Sequence, residues 1–381
     1  MTSSNLPPSY PNPDLMVKGD YKPRWNQPFN RRHSFQNLAH VTRYNLTYRA
    51  AAVMELIPAE DVRIGQLQSV QNLINHPFFS GICVINGGRI LFERYARDYD
   101  PQSLHSIQSV TKTMVNLLIG PLVESGQVKL DGLLTDYVPE VARGYKNATV
   151  QQTLNMDVEN DYSEQFDDPN CLYYQHEAAI GWRLPPDLNH EESHKQFLAR
   201  VEHNHLTPPS PFVKYKSSNT DSLAWLIERV SGKSLNHHLA DIIDAAGIES
   251  RFAMSCDRDG YPLMDGGGCF TARDLARYGS IFTRGGLGVN GHQIGSKWWM
   301  EKTLKGGIPW SKEDGDEYRY SNQTETDGRA IAHAGYCGQY LYADLTSGTV
   351  VAHFSVCDQT DGFAHDHFSH IWQMMAEVTR L

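Results

Sequence analysis

The sequence predicts an α/β fold in which an antiparallel sheet, flanked by helices and assembled from both ends of the chain, carries a mostly helical inserted domain. Three observations lead there. Near the front, 81–86 and 89–95 read as two strands joined by the tight turn Gly87-Gly88. Near the end, 318–320, 330–334, 339–343 and 348–357 read as strands separated by turns, and 367–381 reads as a closing helix. Between the two strand regions helical patterns dominate.

The elements follow in order. Prolines at 7, 8, 11, 13, 23 and 28 deny regular helix, so residues 1–33 are expected to be an extended arm over a domain surface or a neighbouring subunit. Short helices are expected at 49–57 and 66–74, ahead of the hairpin. Val110, Met114, Leu117 and Leu118 recur at helical spacing, Gly126 is a stop, and Pro121 is expected to bend or break that helix. A turn with a short helix is expected over 130–140, a Thr149-capped helix over 149–156, and an amphipathic helix over 219–230 ending at Gly232. The polar segment 157–214 has few regular elements and is expected to border the site. Gly266-Gly267-Gly268 reads as a turn between lobes or a backbone lining of the cleft, and helices follow at 271–282 and 298–304. The resulting division is an arm, 1–33; an α/β domain, 34–115 with 262–381; and a helical insert, 116–261, with the site at the lobe interface.

Composition narrows the function. With 40% hydrophobic and 20% charged residues, the 381-residue chain is globular, and its length suits two lobes. A net charge of -10 argues against a nucleic-acid partner and favours cations. No run of about 18 apolar residues stands out as a membrane span. The start lacks the basic and apolar regions of a secretory signal, which leads to the expectation of a cytoplasmic protein. Six cysteines without a Cys-x-x-Cys pair indicate buried thiols rather than zinc or disulfides. Oligomeric state is open, a homo-oligomer included, and no cofactor is called for.

The stretch Ser106–Met114 holds the one Ser-x-x-Lys of the chain, Ser109 and Lys112. Residues three apart on a helix share a face, which sets an amine over a hydroxyl. Such a short pattern also arises by chance, as a serine cap beside a solvated lysine. The stretch Tyr215-Lys216-Ser217-Ser218-Asn219 shifts the balance. With Ser109-x-x-Lys112 before it and His333-Ala334-Gly335 after it, it resembles the three ordered motifs of serine β-lactamases and penicillin-binding proteins. The resemblance runs from about 80 to 381 and implies a β-lactamase-like fold.

Within that superfamily the chain looks most like the 6-aminohexanoate-dimer hydrolase group of nylon-oligomer hydrolases. Supporting stretches are Asp161-Tyr162, Asp168-Pro169, Gly181-Trp182-Arg183 and Thr271-Ala272-Arg273-Asp274-Leu275-Ala276-Arg277. A serine hydroxyl needs a base, and a lysine serves in its amine form, which burial or a neighbouring cation favours. Ser109 is therefore the expected nucleophile, Lys112 its base and Tyr215 the phenol that relays the proton to the leaving group. Ser217 or Asn219 would orient the pair. The resemblance implies an oxyanion hole from the backbone N–H groups of Ser109 and Tyr336, beside His333 and Gly335. It also implies substrate contacts at Phe166, Glu177, Asp265 and Gly266. Relatives carry lysine where His333 stands, tyrosine at Phe166 and asparagine at Asp265, which turns expectation away from β-lactams and weakens amide cleavage. Glu177, with Asp157, Glu159, Asp161, Glu164, Asp167 and Asp168, forms either a site for a cationic amine or a solvated acidic loop.

The function expected is a serine hydrolase acting on a small-molecule amide or ester. An acyltransferase or cyclase, an esterase without amidase activity, and a noncatalytic binding protein are the alternatives. His190-Glu191-Glu192-Ser193-His194 has the form of a zinc-protease motif, but Pro185, Pro186 and polar surroundings place it on an exposed loop or short helix without a third ligand. Asn236-His237-His238 and His365-Asp366-His367 read as solvated helix ends, so no metal is assigned.

Overall fold

The computed structural model describes residues 22–381 apart from 167, 169, 188, 204–210 and 313–316. Residues 1–21 of the expected arm, and Asp167 and Pro169, lie outside the described residues.

Among the described residues, nine strands form one sheet in the order Ile57–Pro58, Arg89–Tyr95, Phe79–Asn86, Thr349–Ser355, Gln339–Asp344, Ala330–Gly335, Thr324–Thr326, Arg319–Ser321 and Ile308–Pro309. All neighbours are antiparallel except the first pair. The front hairpin thus pairs with the last strand of the chain, Val351 lying opposite Val84. Alternation assigns the two faces. Ile82, Val84 and Val351 pack under helices Gln68–Ile74 and His365–Val378, whereas Cys83, Ile85 and Val350 pack under helix Ala272–Thr283. Gly279 lets that last helix sit close, because a Cβ there would lie 2.6 Å from Val350 Cγ1.

Helices Thr113–Glu124, Ser217–Ser231 and Leu235–Ala246 occupy the segment between the two strand regions and share one apolar core with the second face of the sheet. Short-range signals account for their ends. Thr149 and Gln152 make a reciprocal capping box, Thr271 caps through Asp274 N–H, and Gly232 closes its helix in the left-handed conformation.

Several expectations are corrected. Residues 28–36 are helical, not an extended arm, because Pro28 occupies the first turn, where no N–H is needed. No helix forms over 49–57, where the chain instead enters the short strand Ile57–Pro58. Pro121 does not break its helix. It sits in the last turn of Thr113–Glu124, so few hydrogen bonds are at stake. A second, four-stranded sheet, Asn45–Tyr48, Phe252–Ser255, Gly268–Phe270 and His105–Ser106, was not anticipated, since strands of two to four residues carry no readable alternation. All six cysteines are buried, with no disulfide among the described residues. No described helix is long and apolar enough to cross a membrane.

Candidate active site

Ser109 owes its position to a tight turn. Gln108–Lys112 form a 3-10 helix that runs into helix Thr113–Glu124, and three residues per turn bring Ser109 and Lys112 directly into line. Lys112 Nζ lies 3.2 Å from Ser109 Oγ. Gln108 has a φ of 49°, a costly conformation for a side-chain-bearing residue, and its amide donates to Ser106 Oγ at 2.6 Å.

Lys112 is fully buried and held from three sides. Its Nζ donates to Ser217 Oγ at 3.1 Å and to the Asp265 carbonyl at 2.6 Å, and it lies 4.9 Å from the centre of the Tyr215 ring. Helix Ser217–Ser231 begins two residues after Tyr215. Its start is pinned by Lys216 Nζ on the carbonyls of Asn160 and Tyr162, and by the Glu164 carboxylate, which accepts from Ser217 N–H. Of the two expected orienting residues, Ser217 alone reaches Lys112. Asn219 accepts from the Tyr145 hydroxyl at 3.0 Å and contacts Met156 Sδ, so it braces the helix from behind.

The Tyr215 phenol is pushed well above its ordinary range by burial first, then by Tyr320 and Glu164, against a hydrogen bond to Ser109 that acts the other way. It therefore remains a proton donor at neutral pH. His333 is buried and pushed down to about 3, by desolvation and then by Lys112, so it is a neutral ring at physiological pH. Strand Ala330–Gly335 comes against the serine turn because of Gly335, where a Cβ would lie 2.4 Å from the Ile107 carbonyl. This close approach brings Tyr336, the next residue, to the cavity.

That cavity has a volume of about 820 Å³, a size suited to a small organic ligand. Ser109, Phe166, Glu177, Tyr215, Ser217, Asp265, Gly266, His333, Gly335 and Tyr336 line it, while Lys112 and Asn219 lie behind its wall. Of the expected acidic loop, Glu164 lines the cavity, whereas Asp157, Glu159, Asp161 and Asp168 do not. Glu159 faces Lys214 at 3.8 Å. Glu177 is buried, with Arg183 Nε 3.4 Å from its Oε2. Phe166 packs edge-on against Tyr173, and Tyr174 donates to its carbonyl at 2.6 Å. Asp265 is pushed up to about 7, by burial and then by Asp221, with Lys112 opposing.

Sequence reasoning missed several contributors. Trp310 stacks on Tyr215 at 5.7 Å, from a stretch with no motif. Asn26 lines the cavity, and the buried Arg31 donates to the carbonyls of Cys357 and Gln359 while lying 5.4 Å from the Tyr336 ring. Asn26 and Arg31, from the end of the expected arm, therefore buttress the site. Glu325, on a three-residue strand, lines the cavity and accepts from Ala334 N–H at 3.1 Å. Burial pushes its carboxyl up to about 7, against opposing hydrogen bonds from Tyr318 and the Ala334 backbone. A raised carboxyl binds more protons folded than unfolded between its ordinary value and about 7, so its contribution to stability falls as pH rises through that window. Glu325→Gln should flatten this fall and gain up to about 3 kcal/mol above pH 7, as read from urea unfolding at pH 5 and 8.

This fold, with a serine, a buried lysine and a tyrosine around one cavity, defines the class of serine β-lactamase-like hydrolases. Residues 80–373 match the Beta-lactamase family, and the chain belongs to that family. It is 28% identical over 351 residues to the 6-aminohexanoate-dimer hydrolase of Paenarthrobacter ureafaciens, covering 87% of this chain and 86% of that one. A Bacillus anthracis structure provisionally named a 6-aminohexanoate-dimer hydrolase superposes with a TM-score of 0.78 at 22% identity, covering 97% of both chains. EstCE1, a hydrolase with promiscuous acyltransferase activity, superposes at 0.59 and 13% identity, covering 84% of this chain and 97% of that one. The two superpositions speak to the fold.

Proposed function

We propose that this protein cleaves an amide or ester bond of a small, amino-bearing substrate through an acyl-Ser109 intermediate. The observation that carries the reading is Lys112 Nζ, 3.2 Å from Ser109 Oγ and 3.1 Å from Ser217 Oγ, with the Tyr215 ring beside it. Ser109 Oγ attacks the carbonyl carbon and its proton passes to Lys112. The N–H groups of Ser109 and Tyr336 bind the developing oxyanion. Tyr215 then delivers a proton to the departing nitrogen or oxygen, and water releases the acid from Ser109. The name of the Paenarthrobacter relative supports an amide of an amino acid as substrate.

Among the described residues five carboxyl groups line the cavity, those of Glu164, Glu177, Asp265, Glu325 and Asp361, which favours a cationic amine on the substrate. Glu177→Gln should raise KM for an amino-bearing substrate about 10-fold with kcat unchanged, and leave a neutral ester unaffected. Equal effects on both would remove the amine reading. A neutral His333 offers no charge to a penicillin carboxylate. Rates on a p-nitrophenyl ester, a linear aminohexanoate dimer and a penicillin are therefore expected in descending order, and rapid penicillin turnover would contradict the reading.

Acyl transfer is the second reading, favoured by a cavity roomy enough for an acceptor and by the activity named for EstCE1. Product analysis with added amine or alcohol separates it from hydrolysis.

A further inference from the structure

The His-Glu-x-x-His pattern at 190–194 does not close on itself. His190 is exposed, 2.6 Å from Asp187, and Glu191 pairs with Arg43. Ser193 caps helix His194–Arg200, and that turn sends His194 into the interior. There it meets His176, from helix Leu172–Ala179, and Asp221, one turn after Ser217 in helix Ser217–Ser231. All three side chains are fully buried.

The two Nε2 atoms are 2.9 Å apart, and Asp221 Oδ2 lies 3.7 Å from that of His176 and 3.3 Å from that of His194. These edges average about 3.3 Å, the ligand-to-ligand edge of a tetrahedron with bonds of ~2.0–2.1 Å. Among the described residues, Asp221 has no partner of hydrogen-bond geometry beyond the approach of these two rings, and His194 Nδ1 has no partner. A fully buried carboxylate between two imidazole rings calls for positive charge, which a metal ion bound by all three side chains would supply. His176 is prepared as a ligand. Tyr162 Oη, 2.9 Å from its Nδ1, fixes the ring and leaves Nε2 to face the cluster.

We propose that His176, His194 and Asp221 bind a divalent cation, zinc by the character of the ligand set, as a structural centre tying three helices together behind the cavity. None of the three lines the cavity. The ion acts on the site through their neighbours, holding Ser217 and Glu177 in place. This does not depend on the reaction assigned to Ser109.

The test is a titration of the full-length protein, purified without a metal-affinity column and treated with EDTA, with zinc and with cobalt(II). One equivalent should bind, cobalt should give the intense visible absorption of a tetrahedral site, and saturating zinc should raise Tm by about 5 °C. His194→Ala and Asp221→Asn, checked for native circular dichroism, should lose all three responses, whereas His190→Ala should keep them. No bound equivalent in the parent protein overturns the proposal whether or not the variants fold. So does retention in Asp221→Asn, or loss in His190→Ala, which would move the ion to the exposed motif.

Discussion

Ser109→Ala should lower kcat/KM for every substrate by on the order of 10⁴-fold or more, because in the proposed mechanism attack, acyl transfer and deacylation all pass through one oxygen. The fold should survive. The hydroxyl is partly exposed, and the contacts it loses, to Lys112 and Tyr215, are modest against the core beneath. Intact-mass measurement after a serine-directed fluorophosphonate should show one adduct on the parent and none on the variant, with hydrolysis of the p-nitrophenyl ester followed in parallel. An adduct that persists in Ser109→Ala would sink the mechanism, since another serine would then be the nucleophile.

Lys112→Ala should be comparably severe in rate, by about 10³-fold or more, and unlike the serine change it should also destabilise the protein. The side chain is fully buried, and its removal leaves a cavity and strips the donor from Ser217 Oγ and the Asp265 carbonyl. Together these cost about 2–4 kcal/mol, readable as a lower urea midpoint. Lys112→Arg should not restore activity, because a guanidinium cannot give up its proton to take one from serine. Activity retained at a tenth of the parent level in Lys112→Ala would leave the base elsewhere. Lys112 also opposes the rise of the Asp265 carboxyl, so the alanine variant should hold Asp265 protonated to higher pH.

The legible parts of this chain are those whose signals are local. Apolar or alternating runs bounded by turn residues over 81–95 and 339–357 located the hairpin and the central strands, and Thr149, Thr271 and Gly232 marked helix ends that the structure places within a residue or two. Pro23 and Pro28 were misread for the opposite reason. Proline excludes the interior of a helix but suits its first turn, and composition alone does not say which position a proline holds. The strands of two to four residues in the small sheet are defined by their partners and so leave no pattern of their own.

The site divides along the same line. The order of Ser109, Lys112, Tyr215 and His333 along the chain, and the spacing of Ser109 from Lys112, are written in the sequence and point to one chemistry. Tertiary packing alone decided that Ser217 rather than Asn219 touches Lys112, that Glu325, Trp310 and Asn26 border the cavity, and that His194 turns inward to His176 and Asp221. Those contacts join residues far apart in the chain, and their geometry depends on how helices and strands stack, so no neighbouring residue records them.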